Sequence, residues 1–121
     1  MKISYGITVY NEYKEIDNLL FHLSKNIRDE DEVVVTQDVS KIGTGVFEED
    51  FRALEKVLEK YEYGSYFSNL KVTTFNFNKD FSALKNHTKE NCSGDYIFHI
   101  DADEIPNKVL LKQLPQILEI N

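Results

Sequence analysis

The spacing of hydrophobic and polar positions changes repeatedly along the chain, and each change marks an element. The run from Ile3 to Val9 is β-branched and aromatic and stops at the polar Asn11 and Glu12, so it predicts a strand. Ile16, Leu19, Leu20 and Leu23 then recur at i, i+3, i+4 and i+7, one face of a helix. After an acidic turn at 29–32, Val33, Val34, Val35 and Thr36 follow without polar alternation. Such a run suits a central parallel strand covered on both faces, and it ends near Asp38. Residues 39–47 read as a loop. Glu48, Glu49 and Asp50 suit a helix N-terminus, and Phe51, Leu54, Leu58 and Tyr61 form an apolar stripe ending at about Tyr61. Residues 71–77 predict a third strand. Asp80 can cap a third helix through about Asn91, with Phe81, Leu84 and Thr88 on one face. Gly94 breaks the chain and residues 96–100 predict a fourth strand. Pro106 suits the first turn of a last helix, which Pro115 would kink or restart.

Four strand-then-helix alternations predict an α/β fold, an open and mainly parallel sheet with helices on both faces. Ligands of such sheets bind outside the carboxyl ends of the strands. The polar residues that look out of place fall on that edge: Asn11 and Glu12 after the first strand, Asp38 after the second, Asp101 and Asp103 after the fourth. No repeat, low-complexity tract or linker divides the sequence, so residues 1–121 are expected to form a single domain.

Composition narrows the function classes. The chain has 14 Lys plus Arg against 21 Asp plus Glu, a formal net charge of −7, and no basic stretch, which argues against nucleic acid or an anionic membrane as partner. No run approaches the roughly 20 apolar residues of a membrane span, and the N-terminal stretch is too mixed for a secretory signal. A cytoplasmic protein is expected. The one cysteine, Cys92, can form no internal disulfide and reads as a small semi-buried residue near a helix end.

Chemistry concentrates where the fourth strand runs into Asp101, Asp103 and Glu104. In extended chain Asp101 and Asp103 point to the same side, and a hard divalent cation would relieve their repulsion. The same carboxylates read equally well as a solvated turn with Glu104 near the N-terminus of the last helix. A calcium loop is excluded because Ile105 and Pro106 stand where it needs Asp or Asn and Gly. An aspartyl phosphotransferase of the haloacid-dehalogenase type would carry its Asp-x-Asp on the first strand. Gly43-Thr44-Gly45 lacks the rest of a phosphate loop and reads as a flexible loop. His22, His87 and His99 have no second histidine at metal-ligand spacing and are left outside the site. Tyr61, Tyr63, Tyr66 and Phe67 read as a helix end packing on the core.

Taken in order, these segments resemble the family-two glycosyltransferases of the GT-A fold, which move a sugar from a nucleotide-diphosphate donor. Ile7-Thr-Val-Tyr-Asn-Glu12 looks like the family's first strand and Asn-Glu turn, and Val33-Val-Val-Thr-Gln-Asp38 like its second strand. Asp80-Phe-Ser-Ala-Leu-Lys-Asn86 and Gly94-Asp-Tyr-Ile-Phe-His-Ile-Asp-Ala-Asp-Glu104 are similar to its Phe-x-x-x-Arg-Asn helix and Asp-x-Asp strand.

The resemblance implies that Thr8, Asn11 and Glu12 line the nucleotide pocket, Asp38 accepts a hydrogen bond from the base, and Lys85 lies near the pyrophosphate. It further implies that Asp101 approaches the ribose and joins Asp103, the direct ligand of Mn²⁺ or Mg²⁺. A UDP-sugar is the expected donor. Two departures stand out: Lys85 replaces the usual Arg, and the loop after Asp38 keeps mainly Ser40 of the family pattern. The family's domain also continues past the Asp-x-Asp into an acceptor-binding half that supplies a carboxylate base, of which this sequence holds little. A second chain or a homo-oligomer is therefore expected to complete the acceptor site, and the catalytic residue stays unassigned. The alternative is a non-catalytic nucleotide-sugar-binding or interaction module on the same scaffold.

Overall fold

The computed structural model describes residues 1–120, the side chain of Ile120 excepted. Its elements follow the order β1 (Ile3–Val9), α1 (Tyr13–Asn26), β2 (Glu32–Asp38), α2 (Glu48–Tyr63), β3 (Leu70–Phe75), α3 (Phe81–Glu90), β4 (Tyr96–Asp101) and α4 (Lys108–Ile120). The strands form one sheet in the order β3-β2-β1-β4, and every pairing is parallel, so the expected mainly parallel sheet is wholly parallel.

Strand alternation sorts β1 between two faces. Ile3, Tyr5, Ile7 and Val9 join the apolar residues of α1 (Ile16, Leu19, Leu20, Leu23), α2 (Leu54, Leu58, Tyr61) and α4 (Leu111, Leu114) in the main core. Ser4, Gly6 and Thr8 alternate with them. A Cβ at Gly6 would stand 3.0 Å from Thr88 Cγ2, so the missing side chain lets α3 approach the sheet on this second face. The buried Thr88 and Thr36 hydroxyls pair there at 2.7 Å, a polar seam in place of an apolar one.

At the amino end of the sheet, Glu32 is buried and fully partnered. It accepts from the Ser4 hydroxyl (2.6 Å), from the Ser93 backbone N–H and from the Ser93 hydroxyl, and Lys2 lies 3.4 Å away. Burial alone would raise its pKa, but these hydrogen bonds and Lys2 together hold it below the usual value. Cys92 lies half-buried just beyond α3, as expected. Burial, and then the Glu32 charge, push its thiol pKa up, so it is an unreactive packing residue.

Several expected boundaries move. β3 ends at Phe75 rather than at Phe77, which frees residues 76–80 as a loop at the carboxyl edge. Pro106 is not in the first turn of α4. That helix begins at Lys108 and is capped by Asn107, whose Oδ1 accepts from the N–H groups of Val109 (2.8 Å) and Leu110 (3.4 Å). The Pro106 carbonyl instead accepts from His22 Nε2 at 2.6 Å, which ties α4's approach to α1. Pro115 lies inside α4 without ending it and is itself buried. The aromatic cluster is a packing feature: Tyr61 is buried, stacks against Tyr66 and Phe67, and donates its hydroxyl proton to Asp17 Oδ1 at 2.6 Å.

Candidate functional site

The carboxyl ends of β1 and β2 and the loops after β2 and β3 surround a pocket of about 510 Å³. Three of the expected site residues line it: Thr8, Glu12 and Asp38. Its other walls include Tyr10, Lys41, Phe77 and Lys79, which no spacing pattern singled out, and Phe81 and Leu84 from the apolar face of α3. Phe77 and Phe81 stack at 4.8 Å, and Phe81 is 69 % exposed, so a large apolar ring stands open beside polar groups. The signal for Phe77 and Lys79 is weak because strand three ends two residues earlier than its composition suggests.

Two of the carboxylates do structural work at the pocket wall. Glu12 Oε1 accepts from the N–H groups of Tyr10 (2.9 Å) and Asn11 (2.8 Å) and so folds the turn that leaves β1. Asn11 is thereby a turn residue, outside the pocket lining. The buried Asp38 uses Oδ1 to hold the N–H of Ser40 (2.9 Å) and of Phe77 (3.3 Å), joining the loops that follow β2 and β3. Tyr10 stands between these acids and the α2 side. Burial, and then the charges of Asp38 and Glu12, raise its hydroxyl pKa, and its ring meets Phe47 and Phe51 edge-on.

The fourth strand adds Asp101 at the edge of this site. Parallel pairing sets Asp101 opposite Thr8, and Thr8 Oγ1 lies 3.5 Å from Asp101 Oδ1, a weak contact. Lys85 does not line the pocket. It is an exposed residue of α3, and its charge, second to burial, lowers the His99 pKa against the opposing pull of Asp101.

The extended chain that would let Asp101 and Asp103 point to one side stops at Asp101. β4 ends at Asp101, Ala102 is buried, and the chain turns so that the Glu104 N–H donates to the Asp101 carbonyl at 2.9 Å. Asp103 therefore rides on a turn and is exposed. Nor does Glu104 cap the last helix: its Oε1 reaches back to the Asp101 N–H at 2.8 Å. Among the described residues no group of three or more His, Cys, Asp or Glu side chains is assembled to hold a metal. The donor chemistry still fits a hard cation, because Asp101 and Asp103 both offer carboxylate oxygens and are both exposed. They would supply part of a coordination shell, with the rest left to phosphate and water.

An all-parallel sheet covered by helices, with a pocket at its carboxyl edge, is the architecture of a Rossmann-like, GT-A-type fold. The chain belongs to glycosyl transferase family 2, whose pattern matches residues 4–120. Solved structures of S. aureus TarS share the fold. TarS 1–349 superimposes with a TM-score of 0.76 at 28 % identity, over 99 % of this chain and 33 % of that one. TarS 1–349 in complex with UDP gives the same TM-score and identity over 99 % and 32 %. The longer TarS structure gives 0.74 and 26 % over 99 % and 20 %. The chain thus spans about a third of TarS 1–349. None of the curated protein sequences matches it. Among the described residues no helix is long and apolar enough to cross a membrane.

Proposed function

We propose that this chain binds a nucleoside-diphosphate sugar, with UDP the favoured nucleotide, as the donor half of a glycosyltransferase. The observation that carries the reading is the pocket at the carboxyl ends of β1 and β2, where Thr8, Glu12, Asp38 and exposed aromatic rings surround a volume suited to a nucleotide. The UDP complex of TarS, 28 % identical over nearly the whole of this chain, supports the choice of nucleotide.

In this reading Asp38 keeps Oδ1 on the two loop amides and uses its other oxygen to accept an N–H of the base. Tyr10 and Phe77 supply apolar walls for the base and ribose. The Thr8 hydroxyl and Asp101 lie where the ribose passes toward β4. Asp103, with Asp101, would hold Mn²⁺ or Mg²⁺, which when bound stabilises negative charge on the departing nucleoside diphosphate. Lys85 would add positive charge at that edge, as a point charge rather than a bidentate clamp.

Transfer also requires a base that takes the acceptor's proton as its oxygen attacks the anomeric carbon. Glu104 is not that base, since its carboxylate faces the Asp101 backbone. The base and the acceptor surface are assigned to a further segment, a second chain or another copy.

The test is the thermal stability of the protein with UDP, GDP, CDP and dTDP, each with and without Mn²⁺. A ligand at 100 times its dissociation constant stabilises the native state by about 2.7 kcal/mol. A Mn²⁺-dependent rise with UDP is expected. No rise with any nucleotide overturns the reading, and binding without transfer to any acceptor favours a non-catalytic module.

A further inference from the structure

The sequence reads Glu104 as part of a solvated turn near the N-terminus of the last helix, and the structure does not make it the cap of that helix. Its position is nevertheless well defined. Glu104 Oε1 accepts from the Asp101 N–H at 2.8 Å while the Glu104 N–H donates to the Asp101 carbonyl at 2.9 Å. This reciprocal pair closes the segment 101–104 into a loop with the buried Ala102 as its inner anchor and the exposed Asp103 at its rim. No helix begins at Glu104, because α4 starts at Lys108 with its own cap at Asn107. The reciprocal bonds therefore serve the turn alone.

From this geometry we infer that Glu104 is a positioning residue: it sets the separation of the Asp101 and Asp103 carboxylates and so fixes the affinity of the pair for a divalent cation. The inference rests on the donor-site reading above and adds a residue to it. The physical case has two parts. Asp101 is the last residue of β4, its backbone paired with Thr8, and beyond it no strand ladder relates Asp103 to it. The clasp replaces strand alternation as the constraint. Its acceptor is a carboxylate, so its hydrogen bond to the N–H is of the stronger, charge-assisted kind.

The experiment compares Glu104→Ala and Glu104→Gln with the unaltered protein. Mn²⁺ is titrated at fixed UDP, with bound Mn²⁺ read by electron paramagnetic resonance and stability by thermal melting, and UDP binding is repeated in EDTA. Losing a residue that orients metal ligands costs about 10- to 100-fold in metal affinity. Glu104→Ala is expected to need about tenfold more Mn²⁺ for half-saturation, at the low end of that range, with its EDTA binding unchanged. Glu104→Gln, whose amide oxygen still accepts from the Asp101 N–H, is expected to recover most of the affinity.

Equal Mn²⁺ affinity in Glu104→Ala and the unaltered protein overturns the inference and leaves the donor reading intact. An equal loss with and without metal also overturns it, since that marks a merely structural role. A Gln variant as weak as the Ala variant overturns it too, because the clasp would then be irrelevant. UDP binding that ignores Mn²⁺ in the unaltered protein overturns both this inference and the metal role it builds on.

Discussion

Lys79 combines two properties that are seldom found together in a lysine. It lines the nucleotide-sized pocket, and its backbone is left-handed, with φ of 59°. A residue with a Cβ pays about 1–2 kcal/mol for that conformation, whereas glycine adopts it freely. Lys79→Gly is therefore expected to raise stability by about 1 kcal/mol in urea denaturation. The strain identifies a position held by its surroundings, here the loop whose Phe77 N–H is fixed by Asp38. Neither Lys79 nor Lys41 forms an ion pair with a described residue, so the two leave positive charge at the pocket in a chain of net charge −7. Glu32 contributes at the opposite end of the sheet. Its folded pKa lies below the unfolded value, so its stabilisation is present above that value and is lost as pH falls through the folded one. Glu32→Gln is expected to cost about 2 kcal/mol near neutrality, the worth of hydrogen bonds to a buried charge. The difference from the unaltered protein should shrink as pH drops below about 4.5, measured by denaturation at a series of pH values.

Between elements, the sheet meets α3 through the Thr36–Thr88 hydroxyl pair and the bare Gly6, and meets β4's entry at a second glycine. The chain enters β4 at Gly94, where an added Cβ would meet Ser4 Oγ at 2.6 Å, Ser4 N at 2.7 Å and the Lys2 carbonyl at 2.9 Å. Two of those atoms are backbone and cannot swing away. Gly94→Ala is expected to cost about 1–3 kcal/mol, the range for overpacking, and to loosen β4 against β1, read as faster amide exchange at residues 96–101. Because β4 carries Asp101, the same variant should also weaken nucleotide binding. Periodicity found every element of this fold, since apolar stripes and β-branched runs report burial locally. It failed at the end of β3 and the start of α4, which are set by turn hydrogen bonds from Asp38 and Asn107, and it did not show the turn that Glu104 closes after β4, none of which a burial pattern encodes.

For the whole molecule, the order β3-β2-β1-β4 puts the first and last strands side by side, and their carboxyl ends bring Thr8 beside Asp101. The metal role proposed for Asp103 is tested by Asp103→Asn, which removes a charge at nearly constant shape. Loss of the Mn²⁺-dependent UDP shift is expected with the melting temperature of the free protein unchanged, because Asp103 is exposed and makes no hydrogen bond within the described turn. Retained Mn²⁺ dependence would move the metal elsewhere.

Much of this architecture was legible without coordinates: four alternating units, the parallel sheet, the polar residues gathered on one edge, and the family to which they belong. Those features follow from residue type and local spacing, which is where burial and strand or helix period are written. Folding alone decided that Glu12 and Asp38 each hold backbone amides, that Lys41 and Lys79 line the pocket while Lys85 does not, and that Asp103 sits on a turn clasped by Glu104. Each of these depends on where a loop meets a neighbouring loop in space. They are set by single hydrogen bonds, local ones such as that between Glu104 and Asp101 and a distant one between Asp38 and Phe77, and by a strand, β3, that stops two residues before its composition suggests.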